Sequence, residues 1–285
     1  ADRAGFVFGG ISKNVSVETV TLSINDSMII KSYSFGGLIA GECGGNISDV
    51  MITSDSSKTA PSEKVFSVDA YIPRAVGGVV GYMTKGSLSS VYMGHSFKIK
   101  NVSLSNTIAH VGGIVGYVDN NGDSSIVSLS KIVMDGSISA RNTLGGIIGG
   151  VYSTVKMDNI AIREVNLSVE GLLKNINVGG FIGELAQNKN IELRNAYSWA
   201  KIKLNAFTYS ENIDAGVGAV IGSQITNSRT TFENVYTTTT YEVALENKSS
   251  ISGKKQVQFT KENKELSFDG TNKVDGLGLT ISDSV

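Results

Sequence analysis

Several residue types that would identify a chemistry are scarce in this sequence. Cys43 is the one cysteine among 285 residues, so no disulfide can form within the chain and a small disulfide-stapled module is excluded. The two histidines, His95 and His110, lie in different segments, and no HxxxH or CxxC spacing offers a zinc ligand set. No GxSxG nucleophile turn occurs either. We therefore expect no metal, no cofactor and no catalytic residues, that is, a protein that is not an enzyme.

Charge and long apolar runs are scarce as well. Asp, Glu, Lys and Arg make up 18% of the chain, the net charge is −1, and the basic residues form no stripe. Electrostatic attraction to nucleic acid or to an anionic membrane therefore has no visible source. No segment approaches the roughly 18–20 apolar residues that a membrane-spanning helix needs. We expect no nucleic-acid partner and no membrane span.

Glycine, in contrast, is abundant, with 33 residues against two prolines, and it recurs in a short phrase that we call the glycine word. The word consists of two small residues, two apolar residues and a third small residue, and its second position recurs every 33 to 41 residues. Repeats in this range indicate a stacked, quasi-one-dimensional architecture. The copies are Gly36-Gly37-Leu38-Ile39-Ala40, Gly77-Gly78-Val79-Val80-Gly81, Gly112-Gly113-Ile114-Val115-Gly116, Gly145-Gly146-Ile147-Ile148-Gly149, Gly179-Gly180-Phe181-Ile182-Gly183 and Gly218-Ala219-Val220-Ile221-Gly222.

Between glycine words the chain alternates apolar and polar residues, as strands with one buried face do. An asparagine phrase such as Val155-Lys156-Met157-Asp158-Asn159 is followed by a shorter closing phrase such as Leu167-Ser168-Val169. Three strands in each repeat predict an all-β fold, a right-handed parallel β-helix (β-solenoid) of about six to seven coils. We assign residues 1–240 to this repeat domain. Residues 241–285, where charges cluster, are interpreted as a C-terminal cap or linker, with strands near 257–259 and 277–281.

Recurrent glycine within strands needs a physical cause, because each costs roughly 0.5–1 kcal/mol relative to alanine. The two explanations are a positive φ entering the strand and a close approach of neighbouring backbone. The paired apolar residues imply either a strand covered on both faces or a sharp bend at the glycine. The glycines to which we assign this structural role are Gly36, Gly37, Gly77, Gly78, Gly81, Gly112, Gly113, Gly116, Gly145, Gly146, Gly149, Gly179, Gly180, Gly183, Gly218 and Gly222.

Polar and aromatic residues at repeated places are the other candidates. The asparagine phrase carries Asn or Asp where a coil corner would accept a left-handed backbone, and these residues are Asn14, Asp49, Asn159, Asn195 and Asn234. Tyr82 and Tyr117 follow the third glycine in neighbouring coils and are candidates for an outward binding platform, with ordinary packing as the alternative. The segment 119–123 (DNNGD) resembles a calcium loop, but its Asn-Gly pair favours a turn.

The glycine words resemble the GLUG motif, a short repeat named for Gly, Leu, any residue and Gly. The resemblance spans about residues 36–222, with Val, Ile or Phe replacing Leu in most copies. It implies a non-catalytic portion of a large secreted or surface-anchored bacterial protein of the adhesin-like or IgA-peptidase-like kind. A structural and adhesive role would follow, with a host surface protein or glycan as partner and neighbouring domains in a longer chain.

Two other functions remain open at this point. The chain could be the accessory repeat region of a large secreted protease. It could also be a carbohydrate-active β-helix enzyme, which would need clustered carboxylates on one exposed face. The acids here are scattered singly, for example Glu42, Asp135, Glu164 and Glu184. An acidic cluster in a groove along the rod would favour the enzyme, and a polar rod without one would favour the adhesin.

Overall fold

A computed structural model describes residues 2–24, 28–53, 64–70, 74–94, 97–101, 109–172, 175–208, 212–247 and 256–258. These residues form strands and turns, with no helix among them. The first half contains β1 (Arg3–Gly5), β2 (Phe8–Ile11), β3 (Ser16–Ser23), β4 (Met28–Ser32), β5 (Phe35–Gly37), β6 (Ala40–Cys43), β7 (Asn46–Thr53), β8 (Lys64–Ala70), β9 (Ala75–Gly77), β10 (Val80–Met83), β11 (Gly86–Met93), β12 (Phe97–Asn101), β13 (His110–Gly112) and β14 (Val115–Val118). The second half contains β15 (Val127–Ala140), β16 (Thr143–Gly145), β17 (Ile148–Val151), β18 (Val155–Leu172), β19 (Asn175–Gly179), β20 (Ile182–Leu185), β21 (Asn190–Thr208), β22 (Asn212–Gly218), β23 (Ile221–Gln224), β24 (Arg229–Thr237), β25 (Thr240–Asn247) and β26 (Gln256–Gln258).

The strands form three parallel sheets that stack coil upon coil, which confirms the predicted β-solenoid. The first sheet has the order β1-β5-β9-β13-β16-β19-β22-β26 and the second β2-β6-β10-β14-β17-β20-β23. The third has the order β3-β7-β11-β15-β18-β21-β24. Four more strands belong to it: β12 pairs with β15 and β8, β8 pairs with β4, and β25 pairs with β21. The seven strands of the second sheet correspond to seven coils.

The glycine word makes the corner between the first and second sheets. In the coil that begins at Ala75, β9 ends at Gly77, the chain bends at residues 78–79, and β10 begins at Val80. Val79 and Val80 are both fully buried because the bend turns two successive side chains into the core. The word is therefore bent at the glycine rather than covered on both faces. Each glycine word contributes one strand to the first sheet and one to the second, and the asparagine and closing phrases both lie in the third sheet.

Backbone pairing corrects the alignment of the first glycine word by one residue. Gly37, not Gly36, pairs with Gly77, and Gly36 pairs with Val76. The word in this coil is therefore Gly37-Leu38-Ile39-Ala40-Gly41, and Gly36 occupies a position that carries a side chain in the next coil. A still earlier word begins at Gly5, which pairs with Gly37. Because Gly36 directly precedes Gly37, either could begin the word, and composition alone did not distinguish the two alignments.

A column of left-handed residues runs along the third sheet, where the predicted asparagine corners were expected. Asp49, Asn159, Asn195 and Asn234 have φ between 49° and 56°. Asn14 also has a positive φ, but it lies in the turn between β2 and β3, and Thr19 (φ 57°) occupies the column in that coil. The left-handed residue interrupts the alternation of buried and outward side chains along the strand. Two successive side chains therefore face outward, and the next one is buried again. We call this column the first bend.

Residues after 240 continue the solenoid where the structure describes them. β25 pairs in register with the second part of β21, and β26 pairs with β22 of the first sheet. The expected strand at 277–281 and residue 259 lie outside the described residues. None of the described segments forms a helix long and apolar enough to cross a membrane.

Candidate functional site

The corner between the first and second sheets is closed by direct backbone contact, which explains its glycines. A Cβ built on Gly149 would lie 2.6 Å from the backbone nitrogen of Val111, in the coil before. A Cβ on Gly146 would lie 2.0 Å from the carbonyl oxygen of Gly180, in the coil after. Positive φ occurs at Gly86, Gly122 and Gly136, and at no glycine of the words. Close approach of neighbouring coils is therefore the cause, and the positive-φ explanation is wrong.

Tyr82 and Tyr117 lie opposite each other on β10 and β14, outside this corner. Their ring centroids are 5.7 Å apart, and the Tyr82 ring also stacks on Phe35 at 4.7 Å. The Tyr82 hydroxyl donates to the backbone oxygen of Asp119 at 3.0 Å, and only 7% of the residue is exposed. Burial raises the pKa of both tyrosines. The pair therefore packs along the rod, and Tyr82 offers little surface to a ligand.

His110 extends this aromatic row. Its ring lies over Gly150, where an added Cβ would meet the imidazole at 2.3 Å. It also contacts the rings of Tyr117 and Tyr152, with centroids 5.0 and 5.6 Å away. Burial lowers the pKa of His110, against a smaller opposing effect of the Glu184 carboxylate. The imidazole is therefore neutral at pH 7 and serves as a buried aromatic. His95 lies outside the described residues.

Glu184 ends the row in a hydrogen-bonded cluster. The Tyr152 hydroxyl donates to one of its carboxylate oxygens, and the Asn177 amide donates to the other at 2.9 Å. Burial, followed by the hydrogen bond to Glu184, raises the pKa of Tyr152 well above its usual range. Both oxygens of this buried carboxylate are thus occupied, as a buried acid requires.

A groove of about 400 Å³ lies on the outside of the third sheet, where β15 and β18 change register. We call this place the second bend and the cavity the second-bend groove. Trp199, the single tryptophan of the chain, is 41% exposed in its wall. The groove is lined by Gly136, Ser137, Glu164, Asn166, Trp199, Lys201 and Thr240.

A row of polar residues in the second-bend groove takes one member from each of four successive coils. Ser137 pairs with Asn166, Asn166 with Lys201, and Lys201 with Thr240. Parallel pairing spaces these residues by about 4.8 Å along the rod axis. The result is a straight polar row beside an exposed indole.

An ion pair holds the backbone next to the groove. The Arg163 guanidinium donates two hydrogen bonds to the fully buried Asp135 carboxylate, at 2.8 and 2.6 Å. The hydrogen bond to Asp135 raises the pKa of Arg163, which keeps the guanidinium charged. Burial is the main cause of the raised pKa of neighbouring Tyr92, and Asp135 adds to it. Asp135 therefore fixes the position of Arg163 beside the groove.

The remaining outer face of the third sheet changes character along the rod. The coils of β7, β11 and β15 present small hydroxyls such as Ser48, Ser89 and Ser130, which are register partners. Later coils present charges: Arg194 bridges Glu192 and Glu233. The Asn234 amide donates to the Asn195 side chain at 3.0 Å, as expected for a stacked asparagine column. These positions of the face are thus polar, whereas Met51 of β7 exposes 48% of its surface on the same sheet.

The segment 119–123 is a turn rather than a chelating loop. Asn121 and Gly122 both have positive φ (52° and 85°), and the amide of Asp123 donates to the oxygen of Asn120 at 3.0 Å. The Asp119 and Asp123 carboxylates accept hydrogen bonds from nearby backbone amides. Among the residues that the structure describes, no three His, Cys, Asp or Glu side chains come together as metal ligands.

Sequence reasoning did not find the second-bend groove. The segment Tyr197-Ser198-Trp199 carried no local signal for it, because the burial of Ser198 and the exposure of Trp199 follow from pairing between coils. Comparisons with protein-family models, with curated proteins and with solved structures give no match. The GLUG resemblance and the functions it implies therefore remain hypotheses.

Proposed function

We propose that this chain is a non-catalytic, extracellular structural and adhesive β-solenoid, exposed at a cell surface or secreted. Its partner is a host surface protein or a glycan, bound by the outer face of the third sheet. The observation that carries the proposal is the straight row of polar side chains, one per coil, beside the exposed Trp199. Such a row matches a partner that is itself extended and repetitive.

The rigidity of the rod supports a role in presentation. The apolar residues at the corner, such as Ile114, Ile147 and Phe181, are fully buried in successive coils. Close-packed interiors of this kind have low compressibility. Side chains on the outside are therefore held at fixed spacing, and several weak contacts along the rod can act together through avidity.

The distribution of carboxylates supports binding over hydrolysis. Among the residues that the structure describes, Glu164 is the one carboxylate that lines the second-bend groove, whereas most glycoside hydrolases use a pair flanking the scissile bond. Nearby Asp135 is fully buried and bound to Arg163. A second carboxylate with access to the groove would be needed to favour the carbohydrate-active enzyme.

The test is binding of the fluorescently labelled chain to an array of glycans and host extracellular proteins. We expect saturable binding, weakened by S130R on the outer face of the third sheet. The matched control S223R, on the second sheet, should bind as the parent does. Absence of binding across the array, together with measurable cleavage of any polysaccharide, would overturn the proposal in favour of the enzyme.

A further inference from the structure

We propose that the second-bend groove is a binding subsite for an uncharged oligosaccharide, with Trp199 as the stacking surface. This inference rests on the proposed function and names a ligand class and a site for it. Sugar rings have one apolar face of C–H groups and a rim of hydroxyls. An exposed indole beside a row of hydrogen-bonding side chains complements both features.

Trp199 is directed into the groove by an irregularity in the sheet. Ile162 pairs with Ser198 and Val165 with Ala200, so that two residues of β18 lie opposite Trp199 alone. Glu164, one of those two, has a left-handed backbone (φ 54°). Bulges of this kind redirect a side chain and are common beside functional sites. Here the bulge leaves 41% of the largest aromatic residue exposed rather than buried in the core.

The polar row sets the direction in which the ligand lies. Ser137, Asn166, Lys201 and Thr240 follow one another across adjacent coils. Their spacing of about 4.8 Å is the distance between parallel strands, which is close to the length of one pyranose unit in an extended chain. An oligosaccharide parallel to the rod axis would therefore meet a hydrogen-bonding group at each ring.

The charges at the groove favour a neutral ligand over an anionic one. The Glu242 carboxylate is shared by two lysines, with Lys201 Nζ at 3.4 Å and Lys203 Nζ at 2.8 Å. Glu164 adds an exposed negative charge. The arginine nearest the bulge, Arg163, is engaged by Asp135. In the described residues the two lysines at the groove therefore face two carboxylates, Glu242 and Glu164, whereas an acidic glycan would need a surplus of cations.

The single tryptophan gives the experiment a direct readout. We would titrate the full chain with cellohexaose, xylohexaose, mannohexaose and chitohexaose, and with hexagalacturonate as an anionic comparison, and record intrinsic fluorescence. At least one neutral hexaose should shift and saturate the Trp199 emission and protect it from acrylamide quenching. Hexagalacturonate should have no effect. Silence with all four neutral probes, or a response to hexagalacturonate alone, would overturn the assignment.

Variants measured by calorimetry separate stacking from folding. W199A should weaken binding of the responsive hexaose by about tenfold or more, and W199F, which keeps a ring, by less. The matched control Y33A removes an aromatic residue of similar exposure (48%) that does not line the groove, and should bind normally. Equal affinities for W199A and Y33A, in chains that melt with the parent, would contradict the proposal.

The same variants distinguish the two proposals. If W199A still binds the array while S130R does not, the adhesive solenoid stands and the Trp199 subsite is wrong. If the parent chain binds neither the array nor the hexaoses, both proposals fail.

Discussion

The corner between the first and second sheets and the first bend both change the direction of the chain once per coil, yet they restrict the amino-acid sequence in different ways. The corner has glycine at the first and fifth positions of every word, whereas the second position carries Phe6, Leu38 or Ala219 in three of the seven coils. The first bend accepts Thr, Asp, Ser, Lys or Asn, all with φ between 49° and 57°. These residues are Thr19, Asp49, Ser90, Lys131, Asn159, Asn195 and Asn234.

The difference shows which constraint is absolute. Where the backbones touch, a side chain has no volume to occupy, and a Cβ would overlap backbone atoms that cannot rotate away. At the first bend the side chain faces outward, and only the backbone conformation is restricted. A left-handed residue costs roughly 1–2 kcal/mol, and less for Asn or Asp. The lack of space at the corner therefore selects glycine in coil after coil. The restricted backbone conformation at the first bend only favours some residue types over others.

The largest expected effect is at the centre of the corner. G146V places a branched side chain where even a Cβ would lie 2.0 Å from the oxygen of Gly180. We expect at least about 3 kcal/mol of destabilisation, seen as lost solubility or a large drop in Tm. A variant that melts within about two degrees of the parent would refute the close-approach explanation.

A matched pair of alanine substitutions sharpens the comparison within the glycine words. Gly149 and Gly9 occupy equivalent places, but a Cβ on Gly149 would meet the backbone nitrogen of Val111 at 2.6 Å. The nearest atom to a Cβ on Gly9, in the first coil, is 3.6 Å away. G149A should lose about 2 kcal/mol or more in denaturant unfolding, and G9A less than about 0.5 kcal/mol. Equal losses would show that conformation, not space, selects glycine.

A smaller effect depends on pH and on the burial of His110 beside the corner. Burial lowers its pKa in the folded state from the ordinary value of 6.5. The unfolded chain therefore binds more protons below pH 6.5, and the free energy of unfolding falls as pH drops from 6.5 toward the folded pKa. The slope attributable to one group is at most about 1.4 kcal/mol per pH unit.

The variant H110Q isolates this contribution. Relative to H110Q, the parent should lose Tm progressively between pH 6.5 and 5, and the two curves should run parallel above pH 7. Parallel curves over the whole range would mean that His110 is protonated as readily in the folded chain as in the unfolded one.

The smallest effect is expected at the first bend. K131N replaces a lysine at φ 53° by a residue that tolerates this conformation better, and places an amide beside Asn159 in the column. We expect a gain of about 0.5 kcal/mol in chemical denaturation. S89N, one coil away at a position without positive φ, is the control and should be neutral. A loss of stability in K131N would show that the first bend is limited by side-chain contacts.

The fold followed from the sequence because the determinants of stacking repeat in it. Periodic glycine words and alternating strands indicate coils, and six of the seven words were recognised. The word of the second coil was displaced by one residue because Gly36 directly precedes Gly37 and either could begin it, and only backbone pairing decides between them. Thr19 was missed because threonine is not a signal for a left-handed backbone.

The candidate site followed from the sequence only in part. Tyr82 and Tyr117 are neighbours, as their equal positions in successive repeats predicted. The second-bend groove depends on a register shift between strands, which no local pattern encodes. Trp199 emerges where two residues of one coil oppose one of the next, and pairing between distant segments sets this arrangement.

The most direct test of the stacked architecture is cross-linking between register partners. Ser89 on β11 pairs with Ser130 on β15, and Ser130 pairs with Asp158 on β18. Adjacent partners lie about 4.8 Å apart, within the Cα range of roughly 4.4–6.8 Å for a disulfide, and residues two coils apart lie outside it. In a C43A background, S89C/S130C should form an intramolecular disulfide on mild oxidation, whereas S89C/D158C should keep two free thiols. Cross-linking of the second pair and not the first would contradict the stacking of coils on which every other inference depends.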